Sequence, residues 1–160
     1  MNRLFTALAF ATLALMAPAH AQNSPIAGVW KHTGQFRTEV STGKGTYPYG
    51  EKPTGHIVFT KAGRVVAVLF GEGRKKPELP MSDADKVKLF DTLSAAMGTY
   101  KVDGNKLTVS YEHSWHELWP GTTQDRFFEI KGNTLTITSA PVKTASGIEV
   151  TFTITLEKVE

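Results

Sequence analysis

The chain has 160 residues, no cysteine and a formal charge of +3, from 18 basic and 15 acidic residues mixed along its length. That length suffices for one domain with a full core. The missing cysteines exclude disulfides, thiolate metal sites and a thiol nucleophile, and the near-balanced charge argues against a nucleic-acid partner. The brief basic run Arg74-Lys75-Lys76 lies between Glu72 and Glu78 and reads as a solvated loop.

Residues 1–21 read as a secretory signal peptide. Asn2 and Arg3 form a basic start, Leu4 to Met16 an apolar run too short to span a bilayer, and Ala19-His20-Ala21 a small-x-small cleavage site. The expectation is an exported protein, periplasmic or secreted, whose single domain covers residues 22–160 and has no segment for stable membrane insertion.

From Ile26 onward, alternating apolar and polar residues separated by glycine-rich turns predict strands at 27–38, 54–60, 64–70, 98–102, 106–115, 123–130, 134–140 and 148–158. The first carries a break or bulge near Gly34. Lys61-Ala62-Gly63, Asp103-Gly104-Asn105 and Lys131-Gly132-Asn133 each supply a tight hairpin turn. A helix is predicted over 82–97, with Ser82 as N-cap, Asp85 three residues on, and Val87, Phe90, Leu93 and Met97 along one side. Successive hairpins favour an antiparallel meander that closes on itself to remove its edges, with a two-sheet sandwich as the alternative that periodicity leaves open.

Two motifs sharpen that choice: Tyr47-Pro48-x-Gly50 followed by Gly55-x-Ile57-x-x-Thr60, and Trp119-x-Gly121-Thr122-x-Gln124-x-Arg126-x-Phe128. In order and spacing they resemble the bacterial and fungal lipocalin-like domain family, and the likeness extends over nearly all of residues 22–160. The resemblance implies an all-β fold: an eight-stranded antiparallel up-and-down barrel around a cavity, with the helix between strands three and four. It implies little about chemistry.

Strand alternation proposes the cavity residues. Leu107, Val109, Tyr111, His113 and Trp115 share a face that begins apolar and should point inward, leaving Glu112 and His116 to solvent. Gln124, Arg126, Phe128 and Ile130 share the face that packs toward Leu135 and Ile137. An Arg inside a barrel is costly unless paired, because it cannot shed its charge. Arg126 is therefore a structural Arg held by protein acceptors, the anchor of a ligand carboxylate, enolate or phosphate, or, if the strand register is shifted, a residue in solvent. Trp30 and His32 alternate inward on the first strand, with Trp30 as a plug at the bottom of the barrel.

Three function classes follow. The first is a binding protein for a hydrophobic small molecule with a polar or anionic group, held by Tyr111, His113, Trp115, Gln124, Arg126 and Phe128. The second is a cofactor-independent isomerase, cyclase or dehydratase in which His113 moves a proton and Arg126 or Tyr111 stabilises oxygen charge. The third is a non-catalytic structural or inhibitory module, and in each case the chain is a monomer or homodimer. No metal or cofactor is expected: His113 and His116 face opposite ways on a strand, and GxSxG, phosphate-loop and dinucleotide fingerprints are missing.

Overall fold

The computed structural model describes residues 24–144 and 146–160; the expected signal peptide, residues 1–21, lies outside the described residues. Ten strands and one helix follow in the order β1 (Gly28–Glu39), β2 (Gly45–Thr46), β3 (Thr54–Phe59), β4 (Arg64–Phe70), α1 (Asp83–Asp91), β5 (Leu93–Asp103), β6 (Lys106–Ser114), β7 (Thr123–Lys131), β8 (Thr134–Ser139), β9 (Val142–Lys143) and β10 (Glu149–Lys158). Every pairing is antiparallel. Eight long strands run round the ring β1-β3-β4-β5-β6-β7-β8-β10, and β10 pairs back onto β1 from Trp30↔Lys158 to Glu39↔Val150. The sheet closes, which excludes the sandwich. The two-residue strands β2 and β9 extend β1 and β10 at one end.

The two ends of the barrel differ in their connections. At one end lie the short turns 60–63, 104–105 and 132–133, with both ends of the described chain beside them. Here Trp30 is 1% exposed, its indole Nε1 donates to the Ile26 carbonyl at 2.8 Å, and the Lys158 ammonium stands 5.7 Å from its ring centroid. Phe59 and Tyr100 meet edge-on at 5.1 Å beside it, and Leu107, Leu135 and Leu156 complete the seal. Trp30 is the expected plug. The other end carries the longer segments 40–53, 71–92, 115–122 and 140–148.

The helix is shorter than expected and, with the short β2 counted, follows the fourth strand rather than the third. Ser82 caps it, accepting from the Asp85 amide at 3.1 Å, but α1 stops at Asp91 rather than at residue 97. The Arg74 guanidinium donates to the Leu89 carbonyl at 2.6 Å and to the Thr92 hydroxyl at 2.7 Å, closing the last turn. Leu93 to Met97 then run extended, paired with Phe70 to Val66 of β4. Helix-prone residues such as Ala95, Ala96 and Met97 yield because a helix there would leave β4 with a bare edge. Because the short β2 intervenes, α1 follows the fourth strand and does not fall between the third and fourth. None of its residues is buried, and Phe90 remains 55% exposed. The apolar stripe on α1 does not cover the sheet.

Candidate functional site

Two bulges decide which side chains reach the interior. On β1 the register steps from His32↔Leu156 to Gly34↔Thr155, so Thr33 is an extra residue, and its hydroxyl donates to the Thr155 carbonyl at 3.0 Å. Before the bulge, Trp30 and His32 face inward. Beyond it the alternation changes phase: Gln35 lies opposite Ile154 and Arg37 opposite Phe152, on the inner face, while Phe36 turns outward against Tyr47 with ring centroids 4.8 Å apart. The Arg37 Nε donates to the Thr46 hydroxyl at 3.1 Å.

The second bulge is on β6, where Met97↔His113 is followed by Gly98↔Tyr111 and Glu112 is the extra residue. Gly98 makes this crossing possible, since a Cβ there would run into the Ser110 carbonyl oxygen. The bulge overturns one expectation. Leu107, Val109 and Tyr111 are buried inside the barrel, but His113 is exposed and lies opposite the exposed Met97 on the outer face. Glu112 faces solvent as expected, in a two-pronged pair with Arg64 at 2.6 and 2.7 Å that holds its carboxyl below the ordinary range.

β7 places Gln124, Arg126 and Phe128 as alternation predicts, but Ile130, expected to pack toward Leu135, is exposed at the hairpin end of the strand. Gln124, Arg126 and Phe128 are half-buried and Thr123, Asp125 and Phe127 are exposed. The Arg126 Nη2 donates to the Tyr111 hydroxyl oxygen at 2.8 Å and to the Gln124 Oε1 at 3.0 Å. Both partners are neutral, and no carboxylate among the described residues pairs with this guanidinium. The acceptor oxygens of Tyr111 and Gln124 are thus already turned to Arg126. What the trio still offers is donors: the rest of the guanidinium, the Tyr111 O–H and the Gln124 amide NH2.

An aromatic series leads from this trio to the rim. Trp119 packs on Tyr111 at 5.2 Å, His116 stacks on Trp119 at 5.7 Å, Trp115 meets His116 at 5.6 Å, and Phe90 of α1 lies 5.0 Å from Trp115. Trp115 is therefore beyond the end of β6, half-buried at the mouth rather than inside the barrel, with its amide donating to the Ala95 carbonyl at 2.8 Å. His116, expected in solvent, is held between two indoles. Phe128 packs against the core beside Ile137, which lies opposite it on β8.

Three inward polar residues were missed by the sequence reading. Arg37 was hidden by the phase change, although the bulge near Gly34 was the signal that could have revealed it. Ser139 is buried opposite Arg126, and its hydroxyl accepts from the Phe152 amide at 2.9 Å. Tyr49 comes in from the loop before β3; burial pushes its hydroxyl pKa up, and a hydrogen bond with Ser94 opposes that rise. A separate groove of about 410 Å³ lies outside the barrel, between the 72–78 segment and α1. Its Arg74 is already engaged by the helix end.

A closed antiparallel barrel with one plugged end and a polar trio within is the architecture of a calyx-type binding fold. The lipocalin-like domain family matches residues 27–159, and the chain belongs to it. Among solved structures, the crystal structure of an uncharacterized protein from Bacteroides eggerthii DSM 20697 is similar at 10% identity and a TM-score of 0.41, over 83% of this chain and 98% of that one. No curated protein matches the sequence.

Proposed function

We propose that this barrel binds a hydrophobic small molecule through an anionic group held by Arg126, Tyr111 and Gln124. The carrying observation is the half-buried guanidinium whose hydrogen-bond partners are both neutral. A charge in such surroundings is costly until an anion meets it, and three convergent sets of donors suit a carboxylate or an enolate better than any neutral group. Trp119 and Phe128 supply the apolar walls. Export is part of the same reading and rests on the pattern of residues 1–21.

The isomerase, cyclase or dehydratase alternative loses its proton-transfer group, because His113 stands on the outer face. No other observation favours turnover. The test is quenching of Trp fluorescence by medium-chain carboxylic acids and by their methyl esters. Acids are expected to bind at least tenfold more tightly than esters, and Arg126→Gln removes that preference; equal affinity for acid and ester in the wild type overturns the anionic reading.

A further inference from the structure

One buried group inside the barrel has a hydrogen-bonding demand that nothing among the described residues meets. His32 is only 3% exposed, and its Nδ1 is sealed from water without a partner among the described residues. Burial, with the nearby His56 adding to it, lowers its pKa to about 4, so the ring is neutral at ordinary working pH. A neutral imidazole carries one donor and one acceptor. Leaving either unpaired in a dry interior costs free energy, which natural cores avoid unless the group has a use.

Its position gives that use a direction. His32 is the last inward residue of β1 before the Thr33 bulge, directly above the Trp30 plug and opposite Leu156. In the closed ring β1 is four strands from β6 by either route, so His32 and Tyr111 stand on opposite walls. A ligand whose anionic group sits at Tyr111, Gln124 and Arg126 sends its other end across the interior toward β1.

We propose that His32 is a second polar contact for the ligand, and that the ligand is a hydroxylated hydrophobic acid whose hydroxyl, remote from its anionic group, hydrogen-bonds to this imidazole. This rests on the Arg126 reading and adds to it the class of the far end. A hydroxyl is the small neutral group that both donates and accepts, so it satisfies either tautomer of the ring. A cationic group would meet two guanidiniums in the same interior, Arg37 and Arg126. A fully apolar tail would leave His32 as unsatisfied as it is without ligand.

The test compares octanoate, decanoate and dodecanoate with their ω-hydroxy counterparts by titration calorimetry on the purified protein. At the best-fitting length the ω-hydroxy acid is expected to bind about tenfold more tightly, the size of one well-made buried hydrogen bond. His32→Leu should erase that difference and keep the affinity for the plain acid, whereas Arg126→Gln should weaken both members alike. A readout that needs no variant is the imidazole nitrogen spectrum of the wild type: the His32 resonances should move with the ω-hydroxy acid and stay with the plain one. Plain and ω-hydroxy acids binding equally, or unmoved His32 resonances, overturn the His32 contact and leave the Arg126 reading standing. If no acid of either kind binds, the Arg126 reading fails and this one with it.

Discussion

The hairpin end and the loop end of this barrel are made from the same eight strands, yet they solve different problems. At the hairpin end the inner positions are Trp30, Phe59, Leu107, Leu135 and Leu156, all buried, and the polar tips among them are paired, as in the Trp30 bond to the Ile26 carbonyl and the Tyr100 hydroxyl bond to Thr60 at 2.9 Å. Toward the loop end the inner positions become Arg37, Gln124, Arg126 and Ser139, half-buried or polar, and no residue of the nearby helix α1 is buried. Burial of apolar area holds the first region together. The second gives up that stabilisation and keeps groups aimed at something other than the protein itself. One end makes the barrel stable and the other makes it receptive.

That contrast can be broken by substitution. The largest effect is expected at the plug: Trp30→Ala should lower the free energy of unfolding by about 3–5 kcal/mol, the usual range for truncating a buried aromatic residue. Urea denaturation measures it, and a loss under about 1 kcal/mol would mean that the hairpin end is not what holds the barrel together.

His32 lies between the two regions, and its effect is set by pH. Its folded pKa is about 4 against an ordinary 6.5, so between these values the unfolded chain binds a proton that the folded barrel refuses. Stability therefore rises with pH across that window, by roughly 3 kcal/mol in all, and is fully present above it. Unfolding midpoints measured from pH 4 to 7 should show the slope, and His32→Leu should flatten it.

At Arg126 the expected loss is of binding and not of stability. Arg126→Gln should weaken binding of the acid about ten- to a hundredfold, as for a charge-assisted contact, while the unfolding midpoint stays level or rises because an unmatched charge is gone. A variant that unfolded as easily as Trp30→Ala would make Arg126 a structural residue.

The smallest effect belongs to α1. Phe90→Ala should change stability by no more than about 0.5 kcal/mol, because the side chain is half in solvent and its ring contact among the described residues is Trp115 alone. Hydrogen exchange should find the α1 amides open well before those of β5 and β6.

The same division explains what could be read in the sequence. Where apolar residues alternate without interruption, as from Leu107 to Tyr111 or from Leu135 to Ile137, the inner face was legible and so was the plug. Arg126 was placed correctly because Phe128 and Ile130 fix the phase of its strand. Near the loop end, pairing interrupts the pattern. The extra residue Glu112 turns His113 outward, and its cause lies across the ladder in the crossing of Gly98 with Ser110. A sequence read one strand at a time does not contain that neighbour. The bulge at Thr33 announced itself through Gly34, but its consequence for Arg37 requires carrying the phase change forward. The segment from Leu93 to Met97 has helical composition and becomes strand only because β4 and β6 are there to pair with it.

The seam between β1 and β10 has a consequence for how the barrel comes into being. The Thr33 hydroxyl and the Thr155 carbonyl that it reaches are 122 residues apart, so the joint that completes the ring is among the most distant in the chain. During synthesis the first strand emerges long before its partner exists. Until β10 arrives, β1 and β8 both present bare edges to any other nascent chain, and closing so long a loop is slow. Weakening the seam should therefore appear first in the yield of correctly folded protein at high expression, where chains meet one another before they meet their own last strand.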